Sequence, residues 1–160
     1  LKNCLIPLKE KYDYIIIDCM PSLGMITINA LACADSVIIP VQSQFLAAKG
    51  MIHLINTISR VKRRINPKLK IDGILFTLVN DRTNLSKQVK TQLKRDYGDH
   101  LKIYNTYIPL AIKTAESTSY GKSIFSYQKK SKVADAYSSF AKEVLDNGKE
   151  LSKNATFEIR

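Results

Sequence analysis

The run Tyr12-Asp13-Tyr14-Ile15-Ile16-Ile17-Asp18, followed by Pro21-Ser22-Leu23-Gly24, decides the fold class. Its β-branched centre shows no polar alternation. A short apolar run closed by an acid and turn residues reads as a strand covered on both faces, as in a parallel sheet. Ser36-Val37-Ile38-Ile39-Pro40-Val41 repeats the pattern, and so does Ile71-Asp72-Gly73-Ile74-Leu75-Phe76-Thr77-Leu78-Val79. A fourth, less apolar run extends from Leu101 to Ile108.

The segments between these runs have helical period. Gly24 to Cys33 joins the first two. Met51, Ile52, Ile55, Ile58, Val61 and Ile65 recur in the next connector, and Leu85, Val89 and Leu93 form a stripe at four-residue spacing in the third. Strand and helix in alternation predict an α/β fold with a mainly parallel sheet flanked by helices. After Tyr127 the pattern is purely helical, with Val133, Ala136, Tyr137, Phe140, Ala141, Val144 and Leu145 on one side. Residues 147–160 read as a polar, frayed C-terminal tail.

Composition narrows the classes further. The 160 residues carry 25 Lys+Arg against 14 Asp+Glu, a formal charge of +11, with 45% hydrophobic residues, 6 Gly and 5 Pro. Disordered and collagen-like classes fail on these counts, and no apolar run reaches the roughly 18 residues of a membrane span. A soluble domain without a membrane partner is expected. The three cysteines, Cys4, Cys19 and Cys33, are odd in number and lack C-x-x-C spacing, which points to a reducing cytoplasm rather than a disulfide framework or zinc site. Leu1 to Glu10 lack the layout of a secretory signal, and the absence of an initiator Met suggests a start within a longer protein.

Asp18 is the first functional candidate, because open α/β sheets bind ligands beyond the carboxyl ends of their strands. An acid there serves a magnesium shell in nucleotide hydrolases, although it equally suits a helix cap. A phosphate cradle does not accompany it. Gly121-Lys122-Ser123 needs a Gly at position 116 to complete the Walker pattern, and Glu116 stands there, so Gly121 reads as a turn residue. His53 and His100 lie far from any metal-ligand spacing. Basic residues are plentiful: Lys62, Arg63 and Arg64 suit a helix C-terminus, whereas Arg82, Lys87, Lys90, Lys94 and Arg95 line a connector. Lys129, Lys130 and Lys132 precede the last helix, where its dipole disfavours them, which argues for an external anion such as a nucleic-acid phosphate.

Together these residues resemble a known family. Tyr14-Ile15-Ile16-Ile17-Asp18-Cys19-Met20-Pro21-Ser22-Leu23-Gly24 is similar to the Walker B region of ParA/Soj-type chromosome and plasmid partition ATPases, usually I-D-x-P-P-S-L-G. Ala34-Asp35-Ser36-Val37-Ile38-Ile39-Pro40-Val41-Gln42 resembles the family's next strand, and Arg82-Thr83-Asn84-Leu85 its R-T-N-L segment. Ile108-Pro109, Glu116 and Tyr120-Gly121-Lys122 resemble I-P-R-N-V-R-L-S-E-A-P-S-H-G-K-P, and Ala134 to Leu145 the terminal helix. The likeness covers residues 1–146.

The resemblance implies the C-terminal part of a deviant-Walker P-loop ATPase domain of Rossmann-like fold, residues 1–146, whose phosphate loop precedes this segment. It implies ATP and Mg in the full-length protein and none for the isolated chain, which is expected not to hydrolyse ATP. Asp18 matches the Walker B acid that supports Mg and the attacking water. Thr77 and Leu78 match one wall of the adenine pocket and Pro109 the other, while Arg82 and Lys113 match arginines that bind DNA without sequence preference. Leu110-Ala111 stands where the family carries Arg-Asn, so no side-chain contact to nucleotide transfers there. The implied partners are nonspecific DNA, a ParB-like protein and a second copy in an ATP-dependent homodimer, at a cytoplasmic, nucleoid-associated location. The alternative is a noncatalytic, truncated DNA-binding or interaction module. A MinD-like membrane reading requires a basic amphipathic terminal helix, and Leu151, Phe157 and Ile159 are too few and too mixed with acids.

Overall fold

The computed structural model describes residues 1–20, 22 and 24–157. Helix α1 (Lys2–Leu5) and a 3-10 turn (Ile6–Leu8) precede α2 (Met25–Cys33), β1 (Ser36–Gln42), α3 (Phe45–Arg64) and β2 (Lys70–Thr77). Helices α4 (Asn84–Tyr97), α5 (Ile112–Ser119), α6 (Ile124–Gln128) and α7 (Lys132–Phe157) complete the order. Strands β1 and β2 are hydrogen-bonded neighbours, and the fold is α/β with a parallel sheet flanked by helices, as expected. The backbone clusters into two units, Leu1–Ile39 with Lys49–Gly73, and Pro40–Ala48 with Ile74–Arg160.

In the first unit, Ala30, Leu31, Ile39, Met51, Ile58, Val61 and Leu69 are buried. Along α3 the buried set is narrower than the sequence stripe: Ile52 is exposed, and so is Ile65, which follows the helix's last residue. Asn66 closes the end of α2 by donating from Nδ2 to the carbonyls of Leu31 at 3.0 Å and Ala34 at 2.8 Å. Helix-terminal carbonyls lack intrahelical donors, so this amide supplies what the backbone cannot. The Lys70 N–H donates to the Asp35 carbonyl at 3.2 Å, where β1 and β2 begin.

The expected strand at Tyr12 to Asp18 is corrected here. These residues form no strand, and Ile16 is 93% exposed, with Tyr12 and Tyr14 also open to solvent. A β-branched run becomes a strand only when a neighbouring backbone accepts its hydrogen bonds, and no ladder bond to this run occurs among the described residues. Its composition is that of an inner strand, but its surroundings are not.

The second unit is built around the later half of β2, whose residues Ile74 to Phe76 are all buried. The Ile74 N–H donates to the Lys102 carbonyl at 2.9 Å, and its carbonyl accepts from the Tyr104 N–H at 3.0 Å. The Phe76 carbonyl accepts from the Ile108 N–H at 2.9 Å. The fourth apolar run therefore does lie parallel to β2, but as isolated bridges, Ile74 with Ile103 and Val79 with Pro109. Glu143 explains the gap. Its carboxylate accepts the N–H groups of Asn105 at 2.8 Å and Thr106 at 3.0 Å, drawing that stretch of backbone toward α7. Tyr104, buried beside it, meets Phe140 of α7 edge-on, with ring centroids 4.9 Å apart.

Helix α4 begins at Thr83, whose Oγ1 accepts the Ser86 N–H at 3.4 Å. The expected stripe holds at Val89 and Leu93 and moves by one position at its first member. Leu85 is exposed, and Ser86 is buried in its place with Val89 and Leu93, donating its hydroxyl to Ser43 Oγ at 2.6 Å. A buried hydroxyl is tolerated when it is paired. Helix α7 continues through the segment read as a frayed tail, as far as Phe157; residues 158–160 lie outside the described residues.

Burial works to raise the Glu143 carboxyl, but the N–H groups of Asn105 and Thr106, together with Lys102, outweigh it and hold the group below its ordinary value of 4.5. A depressed carboxyl contributes stability above its unfolded value and loses it as pH falls through the folded value. Replacing Glu143 by Ala is expected to cost about 1–3 kcal/mol in urea denaturation at neutral pH, because two donors lose a charged acceptor. The difference between Glu143→Ala and the parent shrinks only as pH falls below 4.5 and on through the depressed folded value, where the parent too loses its charge at this position.

Candidate functional site

The second unit brings Thr77, Leu78 and Pro109 together at the carboxyl end of β2. The Val79 N–H donates to the Ile108 carbonyl at 3.0 Å, and the Val79 carbonyl accepts from the Leu110 N–H at 2.9 Å. These two bonds straddle Pro109, which has no N–H to give. Val79 is buried, Thr77 is half-buried and Leu78 is 42% exposed, so the strand end presents Leu78 outward between two anchored residues. Leu78 has φ +50°, and it is the non-glycine residue with positive φ among the described residues. A leucine in the left-handed region carries strain, which persists only where flanking contacts over-determine it. Here the flanking contacts are the Val79 bonds.

The turn after this strand end is tightly tied. The Arg82 N–H donates to Asn80 Oδ1 at 3.1 Å, and Thr83 donates from its N–H at 3.2 Å and its Oγ1 at 3.0 Å to the Asn80 carbonyl. Arg82 is exposed and is not a member of the ion pairs formed among the described residues. Lys113 lies in the first turn of α5. It is about half exposed, but its Nζ is 2.9 Å from Glu116 Oε2, which also accepts the Tyr127 hydroxyl at 2.9 Å. The hydrogen bond to Glu116 raises the Lys113 ammonium above its ordinary value, and the bonds from Lys113 and Tyr127 lower the Glu116 carboxyl. Lys113 is therefore a charged group with a carboxylate already beside it.

Gly121-Lys122-Ser123 is a helix junction. The Gly121 N–H donates to Thr118 and the Lys122 N–H to Ser117, at 3.0 Å and 2.9 Å, while Gly121 takes φ +60°. These are the paired bonds of a Schellman cap, whose left-handed residue is usually glycine. Ser123 then caps α6 by accepting the Ser126 N–H at 3.2 Å. The backbone N–H groups of Gly121 and Lys122 are spent on α5, in line with the reading of Gly121 as a turn residue.

Asp18 belongs to the first unit, where it is exposed in the irregular segment described above. No group of three or more His, Cys, Asp or Glu side chains suited to a metal ion occurs among the described residues. One groove runs along α3, about 430 Å³ and lined in part by His53, Arg60 and Arg64, and another along α4, about 330 Å³ and lined in part by Lys87 and Arg95. Neither is lined by Asp18, Thr77, Leu78, Pro109, Arg82 or Lys113. Sequence reasoning missed a cluster beside Arg82: the Tyr107 hydroxyl donates to Asp81, and Lys90 joins both. Its partners are far apart in sequence, and no short motif announces them.

Known proteins supply an independent comparison. A family profile described as an AAA domain matches residues 1–71. The sporulation initiation inhibitor protein Soj of Bacillus subtilis is 46% identical over 148 residues, which is 92% of this chain and 58% of that protein. The chromosome partitioning protein ParA of Myxococcus xanthus is 41% identical over 91% of this chain and 50% of its own length. The chain is thus similar over nearly its whole length to Soj and ParA chromosome partitioning proteins. It spans little more than half the length of these curated relatives. Among solved structures, cobyrinic acid a,c-diamide synthase from Mycobacterium smegmatis with bound ADP and magnesium superimposes with a TM-score of 0.75 at 36% identity, covering 92% of this chain and 52% of that one. An ATP complex of Cyanothece McdA, at 19% identity and a TM-score of 0.74, covers 94% of this chain and 56% of its own, and shares the fold. No helix among the described residues is long and apolar enough to cross a membrane.

The strain at Leu78 yields a test of the strand-end geometry. Leu78→Ile places a β-branched residue at positive φ and is expected to destabilise the protein by about 1–2 kcal/mol, whereas Leu78→Gly is tolerated. Chemical denaturation of the two variants side by side measures the difference.

Proposed function

We propose that this chain is the C-terminal part of a ParA/Soj-like partitioning ATPase, which in the full-length protein binds ATP with Mg, dimerises on ATP and holds DNA without regard to sequence. The observation that carries the reading is the end of β2. One sheet edge presents Thr77, Leu78 and Pro109, and the turn that leaves it carries an exposed arginine at Arg82. Ligands of open α/β sheets lie beyond such strand ends. In this reading Thr77 and Leu78 form one side of a base pocket and Pro109 the other, with backbone rather than side-chain groups facing the base.

Mg dehydrates reluctantly and is held through one or two carboxylates together with phosphate oxygens and water. Asp18, an exposed carboxylate on the Walker B-like run, fits that chemistry as a single supporting acid. The bound ion would neutralise charge on the transferred phosphoryl group. Asp18 would orient water in its shell. The phosphate loop of the family has no counterpart in Gly121-Lys122-Ser123, whose backbone caps α5.

Arg82 would meet phosphates directly, and Lys113 would serve in place of the family's arginine, since contact with a DNA backbone needs charge and reach more than a planar fork. Lys113 would exchange Glu116 for a phosphate. A ParB-like partner and a nucleoid-associated location in the cytoplasm belong to the same reading, which the sequence likeness to Soj and ParA supports.

Two measurements on the full-length protein test it. Arg82→Ala with Lys113→Ala should weaken DNA binding alike on unrelated sequences and reduce the slope of log affinity against log salt by about 2, one phosphate contact per residue; unchanged affinity at low salt rejects their role. Asp18→Ala should abolish ATP turnover with the circular dichroism spectrum retained. Persistent hydrolysis would remove Asp18 from the mechanism.

A further inference from the structure

Asp81, Tyr107 and Lys90 form a closed polar set that the proposed site does not use. The Tyr107 hydroxyl donates to Asp81 Oδ2, and Lys90 Nζ lies 3.7 Å from Asp81 Oδ1. The same ammonium sits 3.9 Å from the centroid of the Tyr107 ring. Each member therefore touches the other two. They come from three segments: the turn after β2, the middle of α4, and the backbone that runs beside β2. Lys90 is the most sheltered ion-pair side chain among the described residues, at 22% exposure against 52% for Asp81. A cation held over an aromatic face and paired with a carboxylate is committed to the protein.

Arg82 follows Asp81 directly. The turn holding it is fixed by Asn80 on one side and Thr83 on the other, and Asp81 ties that turn to Tyr107. Tyr107 in turn stands two residues before Pro109, whose bridge with Val79 fixes the strand end carrying Leu78. A chain of short, named contacts thus runs from the exposed arginine to the rim of the strand end. We propose that Asp81, Tyr107 and Lys90 are positioning residues that hold the Arg82 turn ready for a DNA phosphate and join it to the Leu78 and Pro109 rim. This inference rests on the DNA-binding reading above.

The physical reason is preorganisation. A binding group on a loose loop must be ordered on association, at about 0.5–1.5 kcal/mol for each immobilised side chain, which corresponds to about two- to tenfold in affinity. A turn already clamped avoids that loss. Lys90, despite its charge, makes no phosphate contact in this arrangement because Asp81 and the tyrosine ring occupy it.

The sign of one substitution separates positioning from simple charge. Asp81 is an acid adjacent to a DNA-binding arginine, so electrostatics alone makes Asp81→Asn bind DNA more tightly. Positioning makes it bind more weakly. The experiment uses the full-length protein with saturating ATP, a short random-sequence duplex and fluorescence anisotropy at fixed salt. Asp81→Asn and Tyr107→Phe are each expected to weaken binding about two- to tenfold. In the Arg82→Ala background both effects should disappear, because no arginine remains to be positioned. Tighter or unchanged binding by Asp81→Asn overturns the inference, as does a loss that persists without Arg82. If Arg82→Ala itself leaves binding unchanged at low salt, the DNA-contact role of Arg82 fails, and the positioning role with it. Melting curves of the variants, recorded alongside, keep the comparison to folded protein.

Discussion

The hydrogen bonds from Ile74 and Phe76 to the segment Lys102–Ile108 set the geometry on which the candidate site depends. They are non-local, joining backbone about thirty residues apart, and they hold the buried half of β2 in place. Once they are made, the Val79 bonds follow in register, Pro109 comes alongside the strand end, and Leu78 is left at positive φ between fixed neighbours. Backbone donors in a buried strand must be paired or they cost more than the strand gains. The requirement that closes this part of the sheet therefore also shapes the rim of the proposed base pocket.

Glu143 acts on the same segment from the opposite direction. By accepting the N–H groups of Asn105 and Thr106, it replaces ladder bonds that the backbone would otherwise seek in β2. The parallel segment is held at its ends by the sheet and in its middle by α7. The proposed Asp81–Tyr107 link starts from this anchored segment, which gives a single hydroxyl a firm base from which to hold a turn.

The net charge of +11 also becomes more specific once partners are assigned. Lys90 is held by Asp81 and Tyr107, and Lys113 stands against Glu116. Arg82, Lys87 and Lys94 are exposed on the turn and helix that follow β2. Positive charges on one stretch of chain thus divide into those that organise the fold and those presented to solvent. Only the latter can release counterions on meeting a polyanion without first breaking an internal pair.

The alternation of apolar runs and helical stripes determined the fold class, because periodicity reflects which face of an element is covered. The resemblance to ParA/Soj-type ATPases, carried by short contiguous motifs, also pointed to Thr77, Leu78, Pro109 and Arg82 as candidates. Tertiary structure decided the rest. Tyr12 to Asp18 has the composition of a buried strand yet stands exposed, since a strand exists only where another backbone pairs with it. Leu85 yields its inward place to Ser86 because Ser43 offers a buried partner, and Asp81 meets Tyr107 across 26 positions. Local pattern encodes what each residue prefers, whereas pairing between distant residues is settled only when the chain has folded and brought them within reach.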